Sequence, residues 1–340
     1  MQPHEAARRA LRESESVIRQ LTRDRGYWVA ADELSNMWFG NSFRPDPLVL
    51  RAVTINLGCA IDTLYETCEE EGLDPDRIRS LGDELSMATR CTGKDADSRR
   101  DLLYSTKAII GAISREGRAL LGRSNNSSDA AETWSVLWRK VLLEHNRQQE
   151  CSVKMLQDKH LLGRYALESF SEGVSAYLND CAESVGVSLA VVGVLPFSTT
   201  LKGDQVSELI RVLQHTDLLH TLSVRFRLAY DLNFDPDEAI NAGLMGFAAM
   251  TGTTLREARP QAGKHVDMIN SKLRREWDRR SGPLIERLER IDKQYKETAI
   301  GPLLSQFVQS SDQIVQTISS GSTIHGCRPT IAACGARSKR

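Results

Sequence analysis

Apolar side chains recur every three to four residues along most of this 340-residue chain, which is the spacing that buries one face of an α-helix. Val, Ile and Thr occur mostly inside these patterns, and no Asn-Gly or Asp-Gly turn joins two alternating runs. The pattern therefore predicts an all-α protein. We expect helices at residues 4–24, 47–71, 75–90, 99–121, 129–157, 159–181, 183–195, 204–233, 237–250, 253–258, 261–280 and 283–318.

Short polar segments with glycine or proline separate the predicted helices. The sequence DPDE at 235–238 combines an N-cap carboxylate, a proline and acids near the positive helix end, which predicts a helix start. The sequence SGP at 281–283 indicates a boundary between two helices. No internal repeat is visible, so we expect one domain over residues 1–318. Periodicity is lost beyond it, and residues 319–340 are predicted to be a disordered tail.

Composition and charge narrow the classes of partner. The formal net charge is −1, so the chain has no basic field for nucleic acid. The longest candidate for a membrane span, the largely apolar segment 185–197, has only 13 residues and is shorter than the roughly 18 to 20 residues that a span needs. The N-terminus has no apolar signal region, and the seven cysteines form no CxxC pair. We therefore expect a cytoplasmic protein with reduced thiols, without nucleic-acid binding or stable membrane insertion.

The helix predicted at 47–71 combines an apolar first half with an acidic end. Asp62, Tyr65, Glu66 and Glu69 follow one stripe at i, i+3, i+4 and i+7. An ionised carboxylate removed from water costs several kcal/mol unless a cation or hydrogen-bond donors compensate. Two carboxylates one turn apart can hold Mg²⁺ and leave coordination positions free for a diphosphate. The alternative is a solvated last turn that Gly72 closes.

Three segments in chain order carry a resemblance to a known family. They are CAIDTLYETC around Asp62, AYLNDCAESVGVSLAVVGVLPF at 176–197 and GPLIERLERIDKQY at 282–295. Together they resemble class I terpene synthases, among them single-domain bacterial diterpene synthases of the ent-kaurene synthase type. The resemblance implies a single-domain helical bundle around an apolar cavity. It places Asp62 and Glu66 on the first and last acids of the aspartate-rich motif, which here reads DxxxE rather than DDxxD.

The second segment resembles the helix that breaks beside the active site of this family. The resemblance implies that Tyr177 opens this helix and that Ser184 and Gly186 lie at the break. The family's diphosphate-sensing arginine and its C-terminal Arg-Tyr pair are both absent, although Tyr295 lies near the position of the pair. We expect contacts with the substrate from Tyr177, Ser184, Gly186 and Tyr295. We also expect Tyr65 to face a carbocation through its ring.

The family also needs a second metal site, normally with Asn, Ser or Thr, and Glu at i, i+4 and i+8 of one helix. In the helix predicted at 204–233, Ser223, Arg227 and Asp231 have this spacing. Asp231 then joins Asp62 and Glu66 as a Mg²⁺ ligand. Ser223 contacts the substrate, and Arg227 replaces the middle ligand and binds the diphosphate directly, because guanidinium pairs bidentately with phosphate. Other partial sets are Asp217 with His220 and Thr221, and Tyr230 with Phe234 and Glu238.

The resemblance implies a Mg²⁺-dependent terpene synthase that ionises an isoprenoid diphosphate, either an allylic or a bicyclic C20 compound, and cyclises the carbocation. Its catalytic residues are Asp62, Glu66 and Tyr65. One alternative is a prenyltransferase, although such enzymes usually carry two DDxxD motifs and none is intact here. Another is a non-catalytic helical protein with a degenerate metal site. The resemblance is also compatible with a homodimer.

Overall fold

The computed structural model of this protein describes nine stretches of the chain, and the statements below refer to them. They are residues 5–21, 35–40, 42–70, 75–90, 102–124, 128–157, 167–201, 203–236 and 240–320. The predicted tail at 319–340 lies outside them beyond residue 320. Within these stretches there is no strand, and one isolated bridge joins Pro45 to Ser198. The all-α prediction is confirmed.

Fourteen helices account for most of the described residues, and several continue into short 3₁₀ or π-helical turns. They are α1 (Glu5–Leu21), α2 (35–40), α3 (Pro47–Arg51, then π-helical Ala52–Leu57, then Gly58–Glu70), α4 (Pro75–Met87, with a 3₁₀ turn at Ala88–Arg90), α5 (Leu102–Ser124), α6 (Ser128–Gln157), α7 (Phe170–Cys181, with a 3₁₀ turn at Ala182–Val185), α8 (Val187–Val194, with a 3₁₀ turn at Leu195–Phe197), α9 (Gly203–His215), α10 (Leu218–Asp231), α11 (Ala242–Thr251), α12 (Leu255–Ala262), α13 (Val266–Tyr295) and α14 (Gly301–Ser319).

The start of α3 is set by local chemistry. Asp46 is the N-cap, its side chain accepts a hydrogen bond from the amide of Leu48 at 3.0 Å, and Pro47 follows at N1. The carboxylate of Asp46 also pairs with Arg8 of α1 at 2.6 Å. These contacts hold the first turn of the helix that later carries Asp62.

The predicted boundary at residues 281–283 is wrong, because α13 runs without interruption through Gly282 and Pro283. Its buried face continues past the proline in Leu284, Leu288 and Ile291, so packing outweighs the hydrogen bond that proline removes. The chain instead turns after Tyr295. A Cβ atom on Gly301 would lie 2.2 Å from the carbonyl oxygen of Lys296, so this turn requires glycine.

The boundaries on either side of α10 also differ from the prediction. The helix expected to start at Asp235 begins instead at Ala242, where the Asn241 side chain accepts a hydrogen bond from the amide of Leu244 at 2.8 Å. Residues 237–239 lie outside the described stretches. The helix predicted at 204–233 is divided into α9 and α10 near Thr216, whose hydroxyl accepts a hydrogen bond from the amide of Leu218.

Two hydrophobic clusters form the interior, and α10 contributes to both. Leu222 and Phe226 of α10 belong to the larger cluster, which also includes residues of α1, α3, α6 and α8. Leu228 belongs to the smaller cluster, formed with α7, α11, α12 and α13. The buried polar residues of α10, among them Ser223, Arg227 and Asp231, are therefore enclosed by protein on more than one side.

Two helical stretches have the length and composition of a membrane span. They are Pro47–Tyr65 and Phe170–Phe197, with mean hydropathies of 1.3 and 1.5. Their apolar windows are 65% and 83% buried inside the fold, respectively. Core helices of soluble proteins pass the same test, so the expected absence of stable membrane insertion stays a prediction.

Candidate functional site

The buried helices α7 and α8 are separated by a break in the regular helical backbone. The chain leaves α7 at Cys181, forms the 3₁₀ turn Ala182–Val185 and resumes as α8 at Val187. Gly186 has a φ of 78°, a left-handed conformation that favours glycine. The amide of Gly186 donates to the carbonyl of Glu183 at 3.0 Å, which closes the turn. The break predicted at residues 183–186 is confirmed. The expectation that Tyr177 opens this helix is wrong, because Ser169 caps α7 and the helix begins at Phe170.

The backbone of Glu183 connects this break to α6 through two hydrogen bonds. Its amide donates to the side-chain oxygen of Gln148 at 2.5 Å. Its carbonyl oxygen lies 2.9 Å from Nδ1 of His145. Because a carbonyl oxygen only accepts hydrogen bonds, Nδ1 of His145 carries the proton and Nε2 is left as an acceptor.

The carboxylate of Glu183 connects the break to α10 and to the first turn of α8 through hydrogen bonds. It accepts hydrogen bonds from the hydroxyl of Ser223 at 2.8 Å and from the hydroxyl of Ser188. The other carboxylate oxygen lies 3.8 Å from Nδ1 of His220. Glu183 is buried, so these donors compensate for the water that its charge has lost.

The pKa values of the two histidines on either side of Glu183 are shifted in opposite directions. Burial lowers the pKa of His145, which is fully enclosed. The Glu183 carboxylate raises the pKa of His220, and burial opposes this rise. The His220 side chain is 47% exposed, so it connects the buried cluster with solvent. One imidazole is therefore held neutral inside the fold, and the other is favoured as a cation at its surface.

Arg227 and Asp231 form a second buried group beside the first. Nε of Arg227 lies 3.3 Å from one oxygen of Asp231, and the other oxygen accepts from the amide of Ala242 at 2.8 Å. The guanidinium also donates to the carbonyl of Ile240 at 3.4 Å and lies 5.1 Å from the centre of the Tyr177 ring. Burial raises the pKa of Asp231 despite the arginine. Both oxygens of Asp231 are thus engaged within the protein.

The structure distributes the predicted site residues among different environments. Ser223, Ser184 and Gly186 lie at or against the break. Their neighbours Arg227, Asp231 and Tyr177 form the second buried group, so the i, i+4, i+8 spacing on α10 does not give one common site. Tyr65 is buried, with its hydroxyl beside Gly82, and Tyr295 is half-buried at the end of α13. Asp62 and Glu66 belong to α3, but their side chains lie outside the described part of the structure.

Sequence reasoning located Glu183 at the break but did not include it among the site residues, and it missed Ser188, His145 and Gln148 altogether. A signal was present for Glu183 and Ser188, because both interrupt the apolar stretch at 181–197. His145 also follows Trp138 by seven residues, which places it on the buried face of α6. A polar residue on a face that is otherwise buried and apolar therefore indicates a candidate site residue.

No three His, Cys, Asp or Glu side chains are grouped for metal binding among the described residues, which do not include the side chains of Asp62 and Glu66. These two carboxylates, one helical turn apart, have the oxygen donors that Mg²⁺ prefers. Asp231 presents no free oxygen in this conformation. We therefore carry Asp62 and Glu66 forward as candidate ligands, and not Asp231.

The chain matches no protein-family model, no curated protein and no solved structure.

Proposed function

We propose that this protein is a Mg²⁺-dependent class I terpene synthase that ionises an isoprenoid diphosphate and cyclises the resulting carbocation. The observation that carries the proposal is the interrupted helix. It breaks at Ala182–Val185 and Gly186, as the family resemblance predicts, and it gathers a polar cluster around Glu183. In a bundle whose interior is mostly aliphatic, a polar break of this kind indicates a specialised site.

Helix packing supports the same proposal. A Cβ atom on Gly193 of α8 would lie 2.7 Å from Val53 of α3 and 3.1 Å from Trp138 of α6. Glycine thus lets α8 approach both helices closely. Val53 lies in the π-helical part of α3, nine residues before Asp62. The broken helix and the helix that carries the acidic motif are therefore direct neighbours.

The residues suit the chemistry that such an enzyme performs. Mg²⁺ held by Asp62 and Glu66 would stabilise the negative charge on the diphosphate as it leaves. All eight residues of α8 are buried, and six of them are Val, Leu or Ala, so this face of the site excludes water. Exclusion of water protects a carbocation from premature capture.

One observation favours a second candidate, a non-catalytic helical protein. Arg227 and Asp231, which have the spacing of the family's second metal motif, form a buried pair that holds the start of α11. A chain that uses these positions for structure need not have kept catalysis.

The deciding experiment incubates the purified full-length chain with C10, C15, C20 and bicyclic C20 diphosphates in the presence of Mg²⁺. Diphosphate release and hydrocarbon products are measured, with an EDTA-treated sample as the control. We expect release with a C20 substrate that depends on Mg²⁺. Chain elongation with added isopentenyl diphosphate would instead identify a prenyltransferase. No release with any substrate would favour the non-catalytic protein.

A further inference from the structure

His145 of α6 presents a buried ring nitrogen, Nε2, that has no hydrogen-bond partner among the residues that the structure describes. The residue is 2% exposed, and Nδ1 is occupied by the carbonyl oxygen of Glu183 at 2.9 Å. No group among the described residues hydrogen-bonds Nε2. A buried acceptor without a partner is costly, and such groups in folded proteins usually have a function or bind a ligand or water.

The local surroundings of His145 keep the lone pair of Nε2 free of a proton near pH 7. The Nδ1 hydrogen bond to a carbonyl fixes the tautomer, so the lone pair lies on Nε2. Burial lowers the pKa of the imidazole, which keeps the ring neutral near pH 7. The charged group that acts on His145 across the break is Glu183, whose charge favours the imidazolium once a proton arrives.

The position of His145 relative to the break is specific. A Cβ atom on Gly186 would lie 3.9 Å from Cε1 of His145, the ring carbon bonded to both nitrogens. The imidazole therefore lies against the one residue of the break that has no side chain. The backbone of Gly186 therefore lies beside the imidazole ring, and no side chain at this position separates the backbone from the ring.

We propose that His145 accepts the proton that ends the carbocation reaction, an inference that rests on the proposed terpene synthase function. In this step a C–H bond next to the cationic carbon breaks, and its electron pair forms the C=C bond of the product. The proton binds the lone pair of Nε2. The imidazolium keeps its hydrogen bond to the Glu183 carbonyl and returns the proton to water when the product leaves.

The test compares the wild type with His145→Asn. The asparagine amide can still donate to the Glu183 carbonyl, but it has no acceptor at the position of Nε2. Ionisation does not need this base, so we expect diphosphate release with kcat/KM within about threefold of the wild type. The wild-type alkene should fall by about tenfold or more in favour of alcohols or isomeric alkenes. Ser135→Ala, a change on the same helix whose hydroxyl bonds only the Ala131 carbonyl here, is the matched control.

The outcomes separate the two proposals. An unchanged product profile in His145→Asn, with normal diphosphate release, overturns the role of His145 and leaves the proposed function standing. No diphosphate release by the wild type with any substrate overturns the proposed function and this inference with it.

A second measurement follows the proton position in the wild-type protein itself, and the variants serve only to assign the signal. The wild-type chain with ¹⁵N-labelled histidine is titrated with a C20 ammonium analogue of the carbocation, inorganic diphosphate and Mg²⁺. We expect a resonance for a neutral, Nδ1-protonated histidine that is assigned to His145 by its absence in the variant or in His145→Gln, and whose Nε2 signal moves on binding. An Nε2 signal that does not move overturns the inference.

Discussion

The hydroxyl of Ser223 donates a 2.8 Å hydrogen bond to the carboxylate of Glu183, and this bond joins α10 to the break between α7 and α8. The backbone of the same glutamate bonds His145 and Gln148 of α6. One residue therefore fixes the break to two other helices. Because a helix break has few backbone hydrogen bonds of its own, its shape depends on such side-chain contacts.

Replacing Ser223 with alanine tests how much the break depends on this bond. The variant removes one donor from a buried carboxylate, so we expect the free energy of unfolding to fall by about 1 to 3 kcal/mol. Urea denaturation measures the loss. Ser135→Ala, whose hydroxyl bonds its own helix, should change the free energy by no more than about 0.5 kcal/mol. An equal, small loss in both variants would show that Glu183 does not need Ser223.

The pH dependence of stability should reveal the neutral state of His145. Its folded pKa is lowered by burial, so below an unfolded pKa of about 6.5 the unfolded chain binds a proton that the folded chain does not. We expect stability to decrease as the pH falls from about 6.5 to 5. Urea unfolding at several pH values measures this slope, which should become shallower in His145→Asn. An identical slope in that variant would contradict the burial of a neutral ring.

The opposite sign is expected for His220. Its folded pKa is raised beside Glu183, so its contribution is complete below the unfolded pKa and is lost as the pH rises through the folded pKa. Between about pH 6.5 and 8 the wild type should therefore lose stability that His220→Asn does not lose. The effect is small because the imidazole is half exposed and screened by solvent. Parallel curves for the two proteins above pH 6.5 would rule out this ion pair.

The sequence predicts the helices well because their periodicity reports which face is buried. The prediction fails where a single residue was taken as a helix boundary, as at Pro283, because the apolar face of α13 continues on both sides of the proline. The break at Gly186 was predictable from the resemblance. The Glu183 cluster was not, because its partners on α6 and α10 lie 35 to 40 residues away and are brought close only by the fold.

Close contact between α7 and α11 leads to a prediction about packing. A Cβ atom on Gly173 would lie 2.5 Å from the backbone oxygen of Met245 and 2.8 Å from Cα of Gly246. Gly173→Ala should therefore push the helices apart and cost about 1 to 3 kcal/mol of stability. Gly122→Ala on α5 meets nothing within 4 Å and should gain up to about 1 kcal/mol through helix propensity. Thermal or urea unfolding of both variants measures the contrast, and a neutral Gly173→Ala would contradict this packing.

The buried pair of Arg227 and Asp231 should be a large contributor to stability if its role is structural. Asp231→Asn keeps an acceptor for the amide of Ala242 but removes the negative charge that compensates the buried guanidinium of Arg227, and removing one partner of a buried ion pair commonly costs about 3 to 5 kcal/mol. The exposed pair of Arg79 and Asp76 is the control, and Asp76→Asn should cost no more than about 1 kcal/mol. Urea unfolding of both variants decides the matter. Equal losses would show that Arg227 finds another partner.

The last prediction concerns the acidic motif on which the proposed function depends. Asp62→Ala removes one oxygen donor from the candidate Mg²⁺ site, so diphosphate release should slow by a factor on the order of 10² to 10³. The helix itself should persist, since alanine is a good helix former. Asp83→Ala changes an exposed acid on α4 and should leave the rate unaltered. Release is measured at several Mg²⁺ concentrations, because loss of a ligand should raise the concentration needed for half-maximal rate. If both variants turn over at the wild-type rate, Asp62 holds no catalytic metal, and the acidic stripe is only the solvated end of α3.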